Sequence, residues 1–312
     1  MLLYVKQSRP HTLGAKMKPP PFRYHDPKSV DETISLLGSL ENAKLLAGGQ
    51  SLMPMLNMRF VLPDHVIDLN RVEGLSYIRE KDGWLEIGAM TRQRDLEFSD
   101  MVRARWPIIH EALLQVGHRQ TRNRGTIGGS LCHLDPAAEL VSLAMGHDAI
   151  VTVAGPNGRR DLPFAQFPAG YMMPALEANE LLVAIRFPQW KAGHGYAFIE
   201  FARRHGDFAI TSAAALLEGD TSGKITRASV TIGGMGTTPS RAGELEQAIV
   251  GQTPSAQLFR DACESCRKLE AIDDIHAPAS YRQHLAAVLS RRALEKAYAR
   301  LTGRELAPAR PH

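Results

Sequence analysis

Two short segments with paired glycines are the parts of this 312-residue chain best suited to bind an anion. Glycine has no Cβ, so the backbone N–H groups of such a segment can surround a phosphate. The first segment is Ala47, Gly48, Gly49, Gln50 and Ser51, and the second is Thr126, Ile127, Gly128, Gly129 and Ser130. Taken alone, each is equally consistent with a turn that ends a strand. The G-x-x-x-x-G-K-[ST] and G-x-G-x-x-G patterns are absent, so neither common nucleotide-binding motif is present.

The remaining reactive residues do not form a recognisable catalytic or metal site. Cys263 and Cys266 have the C-x-x-C spacing, but a closed zinc site needs four ligands and no second pair exists. We interpret this pair as structural, within a helix. Cys132 lies beside His133, yet no third residue is evident that would orient them for nucleophilic catalysis. The sequence therefore predicts no catalytic residue and no bound metal in this chain.

Hydrophobic periodicity predicts alternating helices and strands around both glycine segments. A helix capped by Ser29 or Asp31 precedes the first segment, and a short strand at Leu45 and Leu46 leads into it. Residues 92–116 have helical spacing, which Pro107 divides into two helices. After the second segment, Asp135-Pro136 is expected to cap a helix and occupy its first position. Further strands are predicted at residues 66–69, 84–90, 149–155 and 181–187.

A polar, turn-rich stretch at residues 188–195 divides the chain. After it come three predicted strands and then helices, an order typical of an α+β domain. We therefore expect a cofactor domain at 17–190, with subdomains 17–75 and 76–190, and a C-terminal domain at 191–303. Residues 1–16 are predicted to be a disordered extension and residues 304–312 a tail.

Composition limits the class of protein. The charge is +4, from 37 basic and 33 acidic residues, which is too balanced for a dedicated nucleic-acid binder. Three cysteines argue against a disulfide framework and favour a reducing compartment, so we expect a cytoplasmic protein. The apolar start at residues 1–5 is too short for a signal peptide or a membrane span.

The chain resembles a known family: the FAD-binding medium subunits of the molybdenum hydroxylases, including aerobic carbon monoxide dehydrogenase and the flavin part of xanthine dehydrogenase. The order and spacing of the shared motifs agree from about residue 22 to residue 301. The motifs are AGGQSL (47–52), IGAMT (87–91), GTIGGSLCHLDPAAEL (125–140), ELLVAIRFP (180–188) and RRHGDFA (203–209). The resemblance implies a vanillyl-alcohol-oxidase-type FAD-binding domain of two α+β subdomains, followed by a C-terminal α+β domain.

The resemblance also implies which residues bind FAD. The segments 47–51 and 126–130 match those that hold the pyrophosphate, although Ser130 replaces the usual Asn. Glu139 stands where the family has an acidic residue at the flavin, and Leu182 stands on a strand that lines the cofactor. Phe208 matches an aromatic residue near the isoalloxazine ring, with an ordinary core phenylalanine as the alternative. Glu200 lies near a position often held by Lys, so we transfer no role to it.

The function implied is electron transfer within a larger complex. FAD here would accept electrons from an iron-sulfur small subunit, while a molybdopterin-binding large subunit oxidises the substrate, in a dimer of heterotrimers. Arg119, Arg122 and Arg124 are candidates for the docking face or for supplementary pyrophosphate binding, with a solvated loop as the alternative. Two alternatives remain at this point: a stand-alone flavin-dependent reductase on the same fold, and an anion-binding module without flavin.

Overall fold

The computed structural model describes residues 17–304. The predicted extension 1–16, and all of the predicted tail except Arg304, lie outside the described residues.

The first subdomain is a three-stranded parallel sheet with helices in its connections. Its elements are β1 (Arg23–His25), α1 (Val30–Ser39), β2 (Ala43–Leu46), α2 (Leu52–Asn57) and β3 (His65–Asp68). β3 lies between β1 and β2. The Ser29 hydroxyl accepts a hydrogen bond from the backbone N–H of Glu32, which confirms Ser29 as the cap of α1. The first glycine segment joins the carboxyl end of β2 to α2.

The second subdomain is a five-stranded antiparallel sheet in the order β4-β5-β10-β6-β7, with six helices inserted after β5. Its strands are β4 (Ile78–Lys81), β5 (Trp84–Gly88), β6 (Ile150–Gly155), β7 (Gly158–Pro163) and β10 (Leu181–Pro188), with β8 (Pro168–Gly170) and β9 (Met173–Pro174) as a separate pair. Its helices are α3 (Gln93–Glu97), α4 (Asp100–Arg105), α5 (Pro107–Leu113), α6 (Arg119–Arg124), α7 (Ile127–His133) and α8 (Glu139–Gly146).

Two predicted boundaries in this subdomain are wrong. Residues 92–116 form three helices, because Ser99 caps α4 before Pro107 begins α5. Asp135 does not cap α8, which begins at Glu139. The Asp135 carboxylate instead accepts a hydrogen bond from the backbone N–H of Ala137 at 2.9 Å, a local turn that competes with helix formation.

The C-terminal part is a four-stranded antiparallel sheet covered by helices. Its elements are β11 (Gly195–Phe201), β12 (Thr211–Gly219), β13 (Ile225–Gly233), β14 (Ser240–Arg241), α9 (Gly243–Ile249), α10 (Ala256–Cys263) and α11 (Ala279–Thr302). On β12, Ala213, Ala215 and Leu217 pack in the same core as α11, whereas Ala214 and Leu216 join the core of the second subdomain. The period of two thus buries both faces of the sheet.

No helix among residues 17–304 is long and apolar enough to cross a membrane.

Candidate cofactor site

The first glycine segment presents unused backbone donors. Within the described part of the chain, the backbone N–H groups of residues 48–51 donate to no other protein group. Gly49 has φ +75°, in the left-handed region that favours glycine. Ser51, two residues later, is right-handed. Successive unused backbone N–H groups in a turn of this kind can form an anion-binding concavity. The segment therefore fits a pyrophosphate, the anion that the resemblance places there.

The second glycine segment lies directly against the first. A Cβ on Gly48 would overlap the carbonyl oxygen of Arg124 and lie 2.8 Å from the Cα of Gly125. A Cβ on Gly129 would lie 3.5 Å from the Cβ of Ala47. Only glycine at position 48 permits this approach of two backbones. The fold thus brings together two segments that are about 80 residues apart in the sequence.

An arginine that the sequence reasoning missed connects the two segments. Arg92 donates one hydrogen bond to the carbonyl oxygen of Arg124 and another to Oδ1 of Asn70 at 2.5 Å. Asn70 in turn donates from Nδ2 to the carbonyl oxygen of Ala47 at 3.0 Å. The only sequence signal for these residues is that each follows a predicted strand closely, where polar side chains often serve a site.

The second segment is the beginning of a helix rather than an open loop. Thr126 caps α7, and its hydroxyl accepts from the N–H of Gly129 at 3.0 Å. The N–H groups of residues 127–130 all donate within the protein. The expectation that both segments offer free backbone donors is therefore wrong for the second. Gly128 is needed for packing, because its Cβ would lie 2.6 Å from that of Ala89.

Leu182 lies in the sheet behind this helix end. Its side chain is buried on β10 in the core of the second subdomain. The next residue, Val183, accepts a hydrogen bond from the N–H of Ala89 at 2.9 Å, so β10 is next to the strand end on which Gly128 packs. A contact between Leu182 and the cofactor remains a prediction.

Phe208 is 66% exposed, which excludes the alternative of an ordinary core phenylalanine. It lies in the loop after β11, where Gly206 has φ +88°. A Cβ on Gly206 would lie 2.8 Å from Nδ1 of His118, the residue that precedes α6. This loop therefore packs against His118, a few residues before the second glycine segment, and its Phe208 side chain is accessible to a ligand.

Two carboxyl groups, one buried and one half-buried, lie on α8 and β11. Glu139 is the first residue of α8 and only 7% exposed, and burial raises its pKa to about 8. Burial also raises the pKa of Glu200 on β11 to about 7, and its Oε2 has no hydrogen-bond partner among the described residues. At neutral pH Glu139 is therefore mostly an uncharged acid. The sequence does hint at the burial of Glu200, because it alternates with Tyr196 and Phe198 along β11.

Arg122 is not available as a docking residue. It is 8% exposed and pairs with buried Glu97, with Nε 2.7 Å from Oε2. Its Nη1 also donates to the carbonyl oxygen of Val116 at 3.0 Å. Of the three arginines expected at a docking face, only Arg119 and Arg124 are exposed.

The cysteines form no reactive site in the structure. Burial raises the pKa of the Cys132 thiol to about 12, so it stays protonated at neutral pH and is a poor nucleophile. Cys263 and Cys266 are both buried and free. Among residues 17–304, no group of three or more His, Cys, Asp or Glu residues is placed to hold a metal ion.

Comparison with known proteins identifies two domains in the chain. Residues 20–190 match the FAD binding domain in molybdopterin dehydrogenase, and residues 196–297 match the CO dehydrogenase flavoprotein C-terminal domain. The chain is 40% identical to 6-hydroxypseudooxynicotine dehydrogenase complex subunit alpha of Paenarthrobacter nicotinovorans, over 90% of this chain and 96% of that protein. It is 37% identical to the carbon monoxide dehydrogenase medium chain of Hydrogenophaga pseudoflava, over 91% and 99%.

A solved structure of carbon monoxide dehydrogenase from Hydrogenophaga pseudoflava matches the fold with a TM-score of 0.88, at 39% identity, over 90% of this chain and 99% of that one. The predicted fold class is confirmed, and so is FAD as the cofactor. This chain belongs to the family of FAD-binding medium subunits of the molybdenum hydroxylases, and it is an oxidoreductase flavoprotein subunit.

Proposed function

We propose that this chain transfers electrons from an iron-sulfur small subunit, through its FAD, to an external acceptor. A molybdopterin-binding large subunit would oxidise the substrate, and the three chains would form a dimer of heterotrimers in the cytoplasm. The observation that supports this most is that the two family domains together match residues 20–297 with one short gap at 191–195. That extent supports a flavoprotein-subunit role for nearly the whole described chain.

The cysteine content supports separate subunits for the other centres. The chain has three cysteines, whereas one two-iron cluster ordinarily requires four thiolates. Two of the three, Cys263 and Cys266, are buried in the core beside α11. We therefore infer that the iron-sulfur clusters belong to a partner.

The residues around the two glycine segments would hold the cofactor. The free N–H groups of residues 48–51 would bind the pyrophosphate, with Ala47, Thr126 and residues 127–130 lining it. Glu139, Leu182 and Phe208 would contact the isoalloxazine end. Bound FAD supplies a two-electron carrier, so this chain needs no acid-base pair acting on a substrate of its own. We place the boundary between the cofactor domain and the C-terminal domain at residues 190 and 191.

The purified chain alone is expected to hold FAD and to show no hydroxylase activity. Coexpression with the neighbouring large and small subunits should give a stable complex that hydroxylates its substrate. The measurements are subunit composition by native mass spectrometry and substrate turnover with an artificial electron acceptor. A matched control is the complex of large and small subunits without this chain. In this control, substrate oxidation should no longer reduce an acceptor that takes its electrons from the flavin.

Two results would contradict this proposal. One is steady hydroxylation by the purified chain alone. The other is the absence of any molybdenum-binding subunit when the chain is purified from its native cells. Turnover of NADH or NADPH by the isolated chain would instead support the stand-alone reductase.

The substrate class is not set by this subunit. Two of its relatives are named as subunits of carbon monoxide dehydrogenase and of 6-hydroxypseudooxynicotine dehydrogenase, at 37% and 40% identity to this chain. Substrates this different are consistent with a site on another subunit. Mass spectrometry of the native complex would identify the subunit that carries that site.

A further inference from the structure

A row of three paired residues crosses the face of the C-terminal sheet that packs on α8. Glu200 on β11 pairs with Ser212 on β12, which pairs with Gly233 on β13. Directly paired residues of antiparallel strands point to the same face of a sheet. This face is the one that also carries Phe198 and Ala214 into the core of the second subdomain.

Helix α8 packs on the β12 and β13 part of this row, which holds Ser212 and Gly233. Gly233 permits the approach, because a Cβ there would overlap Oγ of Ser142 on α8 and lie 2.6 Å from Oγ of Ser212. Glu139 lies one turn before Ser142, on the same side of the helix. Glu139, Ser142, Ser212 and Glu200 are named here the acid seam.

The acid seam is buried and poor in internal hydrogen bonds. Ser142 and Ser212 have no exposed surface, and their hydroxyls have no partner among the described residues. Oε2 of Glu200 is also without a partner. Buried polar atoms are normally satisfied, so ordered water is expected between them.

Within residues 17–304, the acid seam has no cation of its own. Arg122 is the cation that most affects Glu139, but its guanidinium already binds the carboxylate of Glu97. The other charged groups that act on Glu139 are Glu200 and Asp135, both acidic. Two interacting carboxyl groups with restricted solvent access and no counter-ion are disfavoured from both ionising near neutral pH.

We propose that Glu139 and Glu200 act as a pair that retains at least one proton at neutral pH and binds another when the bound FAD is reduced. This proposal rests on the proposed function, because it places Glu139 at the flavin. Reduction of FAD bound next to Glu139 would increase the negative charge that acts on the pair. The pair then takes a proton from solvent, which converts one carboxylate to a carboxylic acid, and no bond to the cofactor forms or breaks.

The first test is the pH dependence of unfolding, which needs no cofactor. A raised pKa means that the folded state binds more protons than the unfolded state above pH ~4.3, the ordinary Glu pKa. Stability should therefore fall as pH rises from about 5 to 7, by up to about tenfold in the unfolding constant per pH unit for Glu200. Glu200→Gln should remove this part of the fall, and Glu200→Asp should restore it. Glu244→Gln, at an exposed position on α9, is the control and should leave the wild-type pH profile unchanged.

The second test is the midpoint potential of bound FAD against pH. Each proton taken up with two electrons adds about 30 mV per pH unit to the slope. The wild type should have a steeper slope between pH 6 and 9 than Glu200→Gln or Glu139→Gln, and Glu244→Gln should match the wild type. A purely structural role would change stability without changing this slope.

The outcomes of these tests distinguish a failure of the acid-pair proposal from a failure of the proposed electron-transfer function. Equal pH profiles of unfolding for wild type and Glu200→Gln would overturn the acid pair, whether or not FAD binds. Altered unfolding profiles with identical potential slopes would overturn its link to FAD reduction. A chain that binds no FAD but loses its pH dependence in Glu200→Gln would contradict the proposed function and still support the retained proton.

Discussion

Gly48→Ala is expected to weaken FAD binding by about tenfold to a hundredfold, which corresponds to the ~1–3 kcal/mol cost of overpacking. The added Cβ overlaps the carbonyl oxygen of Arg124, a backbone atom that cannot rotate away. The two glycine segments must therefore separate in the free protein. Binding FAD then requires the strained arrangement to form again, and the affinity falls.

The measurement is titration of the flavin-free protein with FAD, followed by quenching of flavin fluorescence. Gly38→Ala is the matched control, because Gly38 lies in α1 with no atom within 4 Å of the added Cβ. That control should bind FAD normally and gain about 0.5–1 kcal/mol of stability from better helix propensity. Equal FAD affinity of Gly48→Ala and wild type would show that the contact between the segments does not matter for binding.

Arg122→Met is expected to destabilise the chain by about 3–5 kcal/mol, because it leaves Glu97 buried without its partner. The pair is almost fully enclosed, with side-chain exposures of 10% and 9%. A loss of this size should lower the Tm by roughly 6 °C or more. The Tm can be followed by differential scanning calorimetry.

The double substitution Glu97→Met with Arg122→Met is expected to recover most of this loss, because no unpaired charge stays buried. Arg267→Met is the control, since Arg267 pairs with Glu264 at an exposed site and such pairs contribute at most about 1 kcal/mol. Equal Tm losses in Arg122→Met and Arg267→Met would contradict the inferred importance of the buried pair.

Local patterns predicted most of the helices and strands. The spacing of Val30, Ile34 and Leu37 correctly predicted α1, and the apolar run at 181–187 correctly predicted β10. These segments are governed by their own periodicity. Boundaries were less predictable where local signals compete: Asp135 forms a turn instead of capping α8, and Ser99 starts an additional helix.

The site was predictable only as far as the family motifs reach. The unused backbone N–H groups of residues 48–51 are consistent with the paired glycines. In α7, by contrast, the N–H groups of Ile127 and Gly128 donate to the carbonyl oxygens of Thr91 and Ala89, which follow β5. The links from Arg92 to Asn70 and from Arg122 to Glu97 join residues that are 22 and 25 positions apart. No sequence period relates them, because they are set by the packing of the elements. The partial burial of Glu200 likewise depends on long-range packing, because β11 contacts α5 from a different part of the chain.

The most direct test of the account is the amount and kind of flavin that the purified chain carries. The chain is denatured, precipitated and removed, and the flavin in the supernatant is identified by chromatography and quantified against protein. One FAD per chain, released without proteolysis, is the result expected for noncovalent binding at the two glycine segments. No flavin after purification and titration with FAD, or a flavin that stays with the precipitated protein, would contradict it.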